Sequence, residues 1–363
     1  MRLASPLLKK VVYPCLAHSG YLRRGTSEGI AVVTYHGVLP SGYKAIDPVL
    51  DGSLVTADSF RRQLQLLRSH YNLISPAEFY LWCESEQDLP PGSVLLTCDD
   101  GLQNSLSEMV PILQEAGLSC LFFVTGASLC DKPLMLWYEE LHLMILLAAA
   151  NFRLELPNLG FRRRISGGKE KRLLWMNLTE KLASLPWKER QGVLEQIRIQ
   201  LDYSADWKSH FLDAGESRAR FLVLSPKELK ELSAADMSIG AHTLSHPMLS
   251  KTSQECAWEE IASSRSELEH FLGTEVWALA YPFGDSSSVS KRELELAERA
   301  GFKCAFLNIG GGFGPATLRF ALPRVHVTSE MSLAEFEAHV SGFYRSFRKH
   351  VFGEAQDALM LRA

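Results

Sequence analysis

VLLTCDDG, residues 94–101, carries an apolar run from Val94 to Cys98 straight into two adjacent aspartates and a glycine. A short unbroken apolar run without alternation reads as a strand buried on both faces, the pattern of a parallel sheet. Asp99, Asp100 and Gly101 end it. Asp and Gly are also ordinary turn residues. Two neighbouring carboxylates at a buried strand end, however, repel each other and lose hydration, and a plain turn leaves that cost unexplained. The pair calls for a positive charge beside it.

Working outward from this strand, apolar runs alternate with helical patterns. Upstream lie a strand GIAVVTYH (29–36), an amphipathic helix TADSFRRQLQLLRSHY (56–71), and SPAEFYLW (75–82). The last opens with a capping box from Ser75 to Glu78 and proline at the first helical position. Downstream come a helix around SLSEMVPILQEAG (105–117) and a strand CLFFVTG (120–126). The rhythm returns with SPKELKEL (225–232), MSIGAH (237–242), a long helix (253–273), VWALAYP (276–282), a helix (288–301) and KCAFLN (303–308). LRFALPRVHV (318–327) and a helix from 332 to 344 close it. This alternation predicts an α/β protein, a distorted (β/α) barrel of parallel strands.

Residues 131–224 break the rhythm. They hold an apolar stretch LHLMILLAAA (141–150) that reads as a buried helix, a basic glycine-containing loop NLGFRRRISGGKEKR (158–172), and a helix KERQGVLEQIRIQL (188–201). The expected organisation is an N-terminal amphipathic helix and lead-in (1–28), a catalytic domain (29–345) with a helical insertion at about 131–224, and a C-terminal tail (346–363). Arg162–Arg164 is a solvated face on this reading, with an anionic glycan or lipid headgroup as the minority alternative.

The chain has 363 residues, of which 46% are hydrophobic and 22% charged, values of a globular protein with a large core. A net charge of −4 argues against nucleic acid as a partner. The seven cysteines are widely spaced without a CxxC pair, which reads as buried small hydrophobes in a reducing compartment. No stretch reaches the ~18 apolar residues of a membrane span. Lys9 and Lys10 interrupt the N-terminal apolar segment, against a secretory signal. The expectation is a cytoplasmic protein, with weak membrane-surface association through the N-terminal helix as the sharper alternative. Oligomeric state is not legible.

Four polar positions fall where strands end: His36, the Asp99–Asp100 pair, His242 with His246 in HTLSHP, and the YPFGD turn at 281–285. Pro247 disfavours helical geometry at His246, so HTLSHP reads as a strand-to-loop turn. Two imidazoles and a carboxylate make a three-ligand set for a divalent metal that leaves positions open. Asp100 is assigned to the metal with His242 and His246, and Asp99 to proton transfer as general base.

These motifs resemble those of the polysaccharide deacetylases of the NodB-homology group, carbohydrate esterase family four. The family's T-F-D-D-G is Thr97-Cys98-Asp99-Asp100-Gly101 here, and its H-[ST]-x-x-H-P is His242-Thr243-Leu244-Ser245-His246-Pro247. The resemblance implies that the first Asp is the catalytic base and that the second binds a divalent metal with both His. Cys98 replaces the usual aromatic, a packing change. The third motif, usually R-x-P-Y, is Ala280-Tyr281-Pro282-Phe283-Gly284, without the arginine that braces the base. This pattern resembles the circularly permuted poly-N-acetylglucosamine deacetylase-like branch. There the resemblance implies a backbone N–H from Phe283 toward the oxyanion, with Tyr281 in the same turn. Arg324 is the replacement for the missing brace, with a surface salt bridge as its bland reading. The general acid is His36 in Thr34-Tyr35-His36, with His326 as rival.

The implied activity is metal-dependent removal of N-acetyl groups from an N-acetylated sugar or polysaccharide, or a lipid-linked sugar precursor, releasing acetate. Zinc is the first choice of ion, and nickel, cobalt or manganese suit the same ligands. The alternatives are a metal-dependent amidohydrolase acting on a non-sugar amide and an inactive glycan-binding module.

Overall fold

The computed structural model describes residues 4–23, 29–132, 134–313 and 317–352. The ends of the lead-in and residues 353–363 of the expected tail lie outside the described residues. The core is one curled sheet, built from runs that bury nearly every side chain. Its strands are β1 (Ile30–Tyr35), β2 (Asn72–Ile74), β3 (Ser93–Cys98), β4 (Leu121–Val124), and then, beyond a separate hairpin of β5 (Phe152–Leu156) and β6 (Phe161–Ile165), β7 (Ser238–Ala241), β8 (Ala278–Ala280), β9 (Cys304–Phe306), β10 (Gly312–Phe313) and β11 (Val325–His326). The order β1-β3-β4-β7-β8-β9 is parallel throughout. β2 lies parallel beside β3 and β11 beside β1. Among the described strands of this sheet only β10 runs antiparallel, on β1.

Complete residue burial along β1, β3 and β4 accounts for the unbroken apolar runs: both sheet faces are covered. One face packs on helices including Ala57–His70, Gln254–Leu272 and Leu333–Val340, and the other on an aromatic cluster containing Phe79, Phe123, Trp277 and Phe306. The sheet curls as a half-barrel. A continuous strand ladder closing a full barrel is not among the described pairings: β9 reaches the following segment through the single bridge Phe306–Leu322 before β11 joins β1. The closure was expected from alternation, which counts strands but not their pairing at the ends.

Local signals resolve as read at the helix starts. Ser75 and Ser225 each accept from the backbone of a Glu three residues on, and that Glu caps back. Of the apolar stretch at 141–150, residues 141–147 belong to helix Trp137–Leu147 and 141–145 are buried as expected, while 148–150 lie beyond the helix end. The 158–172 loop is corrected. Its first half is strand β6, paired with β5 from Phe152↔Ile165 to Leu156↔Phe161 across a turn whose Gly160 has φ +61°. Phe161 and Ile165 point inward while Arg162, Arg163 and Arg164 are exposed, so a charge run hid a strand with only its two ends buried. Residues from 135 to 221 in and around this segment share a second apolar core, including Trp137, Leu141, Leu178 and Ile197.

The N-terminal turns pack through Tyr13 and Leu22 on Ala338, and Lys9 pairs with Glu335 at 2.9 Å. Of the seven cysteines, Cys83, Cys98, Cys120 and Cys304 are buried and none is in a disulfide. Among the described residues no helix is long and apolar enough to cross a membrane.

Candidate metal centre and active site

Every parallel strand that feeds the site stops at the same sheet edge. β3 ends at Cys98 and delivers Asp99 and Asp100; β1 ends at Tyr35 and delivers His36; β7 ends at Ala241 and delivers His242; β8 ends at Ala280 and leads into the 281–285 turn. The backbone departs from ordinary geometry here. Asp100, Thr243, His246 and Phe283 have φ of +74°, +64°, +56° and +61°, a left-handed conformation unfavourable for residues with a Cβ. Such strain, clustered on one rim, is held by the surrounding packing and re-aims the side chains.

Asp99 is 2% exposed and meets Arg324, 0% exposed, in a two-pronged pair with both Nη–Oδ distances 2.6 Å. Arg324 is therefore not at the surface. It also donates from Nε to the Leu307 carbonyl and from Nη1 to Thr34 Oγ1, and it lies near the rings of Phe123 and Phe306. Burial alone pushes the Asp99 carboxyl up, but Arg324, then His242, outweigh it and hold the group below the usual carboxylate range. The charge that the DDG pair demanded thus comes from a residue 225 positions downstream.

Asp100 turns the other way. Its Oδ2 accepts from Tyr138 Oη at 2.9 Å, while its Oδ1, buried and without a hydrogen-bond partner, lies 3.5 Å from Nε2 of both His242 and His246. Ligand atoms of these three residues all fall within 4.8 Å of one another. His242 Nδ1 lies 2.7 Å from the Ala280 carbonyl, which can only accept, so Nδ1 carries a proton and Nε2 is the nitrogen left facing Asp100. Burial, reinforced by the neighbouring His242, pushes the His246 imidazole down to about 3, into the neutral form that ligates metals. An orphaned carboxylate oxygen facing two imidazoles fits a divalent cation.

His36 is half-buried and lines a cavity of about 360 Å³ together with Asp99, Asp100, His242, His246, Phe283 and residues of the 131–224 segment. Its ring sits 4.8 Å from that of His326. His326 is absent from the cavity lining, and burial, then the charge of His36, pushes it down to about 3. Phe283 packs edge-on to His246 at 5.1 Å. Tyr281 borders the cavity, but its hydroxyl donates to the Phe320 carbonyl at 3.1 Å, so it anchors the turn and offers no free hydroxyl to a ligand. Cys98 is fully buried, with Sγ 3.6 Å from Ser105 Oγ.

Sequence reasoning missed the first turn of helix Trp137–Leu147. Trp137 Nε1 donates to the His246 carbonyl at 3.0 Å, Tyr138 holds Asp100, and Glu139 joins a buried network with Arg220 and Asp51. Burial, against the opposing pull of Arg220, raises the Glu139 carboxyl to about 7. The string WYEE at 137–140 is rich in polar handles, but nothing in it says which residues they meet. Tyr138→Phe is expected to weaken divalent-ion affinity by about 10–100-fold, read by calorimetric titration with zinc, because it frees an oriented carboxylate oxygen.

Fold and site together define an α/β protein with an Asp-His-His cluster at the carboxyl edge of its sheet, next to an ion-paired second carboxylate. A model of the polysaccharide deacetylase family matches residues 203–305, which include HTLSHP and the 281–285 turn. YxkH of Bacillus subtilis (strain 168), provisionally named a polysaccharide deacetylase, is 25% identical over 117 residues, 32% of this chain and 41% of that protein. The match thus spans less than half of that relative. Among solved structures, the Streptococcus pyogenes deacetylase PplD in complex with acetate is 19% identical with a TM-score of 0.54, covering 87% of this chain and 99% of that one. IcaB from Ammonifex degensii is 18% identical with a TM-score of 0.52, covering 86% and 97%. These two share the fold. Residues 203–305 are thus similar to the polysaccharide deacetylase family, and the chain as a whole has the fold of these deacetylase structures.

Proposed function

We propose that this protein is a metal-dependent deacetylase that removes N-acetyl groups from sugar units of a glycan or lipid-linked precursor and releases acetate. Residues 29–345 are the catalytic unit on this reading, with 131–224 inserted in it. The observation that carries the reading is the division of labour between adjacent carboxylates. Asp100 keeps an unpartnered oxygen against two imidazoles, while Asp99 is held ionised by Arg324.

Asp100, His242 and His246 would hold the ion, zinc first, with nickel, cobalt or manganese on the same donors. Once bound, it supplies Lewis acidity to the acetyl carbonyl and to water. Asp99 then accepts the proton of the attacking water, its carboxylate kept in place and charged by Arg324. The backbone N–H of Phe283 stabilises the oxyanion of the tetrahedral carbon. His36, at the cavity, donates a proton to the departing sugar amine. His326 lies behind it outside the cavity lining, and burial, then His36, pushes its imidazole down to about 3, which supports His36 over His326 as the donor.

The test is acetate release from N-acetylglucosamine oligomers by His36→Ala and His326→Ala. His36→Ala is expected to lose about 10²–10³ in kcat and the basic limb of its pH–rate profile. His326→Ala is expected to keep kcat within about tenfold and retain that limb. The reverse pattern would assign the acid to His326. Acetate release confined to non-sugar amides would place the chain among amidohydrolases of this fold.

A further inference from the structure

One wall of the cavity comes from the 131–224 segment, and part of its polarity is unmet within the protein: His142 Nε2 lies 3.7 Å from Asp47 Oδ1, but other polar atoms have no partner. Glu139 gives Oε1 to Arg220, at 2.8 Å, while its Oε2 is buried without a partner. Nδ1 of His142, one helical turn along, and Oγ1 of Thr179, on helix Gly168–Leu182, are likewise buried and unpartnered. All three residues line the cavity that holds the Asp-His-His cluster, as does the half-buried indole of Trp175, stacked on His142 at 4.3 Å. Three unsatisfied polar atoms in one cavity wall are uncommon, because each forfeits its hydration.

Their supports are rigid. Arg220 is fully buried and pinned by Asp51 at 2.8 Å and the Leu50 carbonyl at 2.6 Å, so it fixes Glu139. His142 is fixed by the Trp175 stack, and Trp175 in turn donates to the Tyr138 carbonyl. A fixed carboxylate acceptor, an imidazole nitrogen and a hydroxyl, set beside an indole, match a ligand that presents several hydroxyls from one compact ring. They do not match an acyl chain, which would leave every one of these atoms unpaired.

We infer that Glu139, His142, Thr179 and Trp175 form a saccharide subsite that seats the sugar carrying or adjoining the acetamide, with Glu139 accepting from a sugar hydroxyl. The inference rests on the deacetylase reading and assigns the 131–224 segment a recognition role. It makes sugar selection a property of that segment, separate from the strand-end residues that perform hydrolysis.

The experiment compares zinc-loaded wild type, Thr179→Val and His142→Phe, the last keeping an aromatic ring against Trp175. Two readouts are taken: calorimetric binding of the N-acetylglucosamine tetramer, and the ratio of kcat/KM for the tetramer to that for 4-nitrophenyl acetate. Each variant is expected to weaken tetramer binding about fivefold to tenfold and to lower the ratio by a similar factor. Unchanged tetramer affinity in both variants, or equal losses on both substrates, would overturn the subsite. Tetramer binding that depends on Thr179 and His142 without acetate release from wild type would uphold the subsite and remove the deacetylase reading instead.

Discussion

Asp99→Asn is expected to reduce kcat for acetate release by about 10³–10⁴, the upper part of what a positioned general base contributes, while metal content stays at the wild-type level. The two halves of this expectation have different origins. Asp99 puts both carboxylate oxygens on Arg324, and the possible ligand cluster consists of Asp100, His242 and His246 without it. Asparagine keeps the shape and one acceptor oxygen but cannot take a proton from water. Kinetics on the metal-replete variant with parallel metal analysis decide the matter. A variant that loses metal together with activity would make Asp99 a ligand and collapse the division of roles.

Arg324→Leu carries the second large effect, on stability and activity together. Removing one partner of a buried pair leaves the other charged and unpaired, at a cost of about 3–5 kcal/mol. The sign of the pH dependence follows from Asp99. In the wild type its folded-state carboxyl lies below the usual range, so the pair's stabilisation is complete above the unfolded value and fades as pH falls through the folded one. Without Arg324, burial dominates and raises that carboxyl, so the variant gains relative stability as pH falls and the buried group protonates. The acid limb of its kcat profile moves to higher pH, because the base must be ionised to act. Urea denaturation at several pH values and the pH–rate profile read both effects. Parallel stability curves for wild type and variant would contradict the assignment of Arg324 as the brace of Asp99.

The sheet was legible because its strands are buried on both faces and written as unbroken apolar runs, as in β1, β3 and β4. Asp99, Asp100, His242 and His246 could be brought together on paper because the first three lie at the end of such a run and His246 is in the loop that begins there, and a parallel sheet delivers its strand ends to one edge. Contacts across the chain were a different matter. Nothing local to Tyr138 says that it will hold Asp100, and nothing near Arg220 that it will pair with both Asp51 and Glu139. Those partnerships depend on how the 131–224 segment docks, which no periodicity encodes. The β5–β6 hairpin was obscured because only the first and last residues of β6 are buried. The short strands β2 and β10 carry too few residues for a pattern. The end of the sheet near β11 stayed hidden for the same reason: a two-residue strand gives no warning of where the curl stops.

The central claim is that Asp100, His242 and His246 hold one divalent ion without which the acetamide is not cleaved. Its most direct test is a titration of chelator-stripped protein with zinc, following acetate release from N-acetylglucosamine oligomers. Activity is expected to be absent at the start and to rise linearly to a plateau at about one equivalent per chain, with no rise in His242→Ala. Full activity in the stripped protein, or a plateau unaffected by loss of His242, would contradict it.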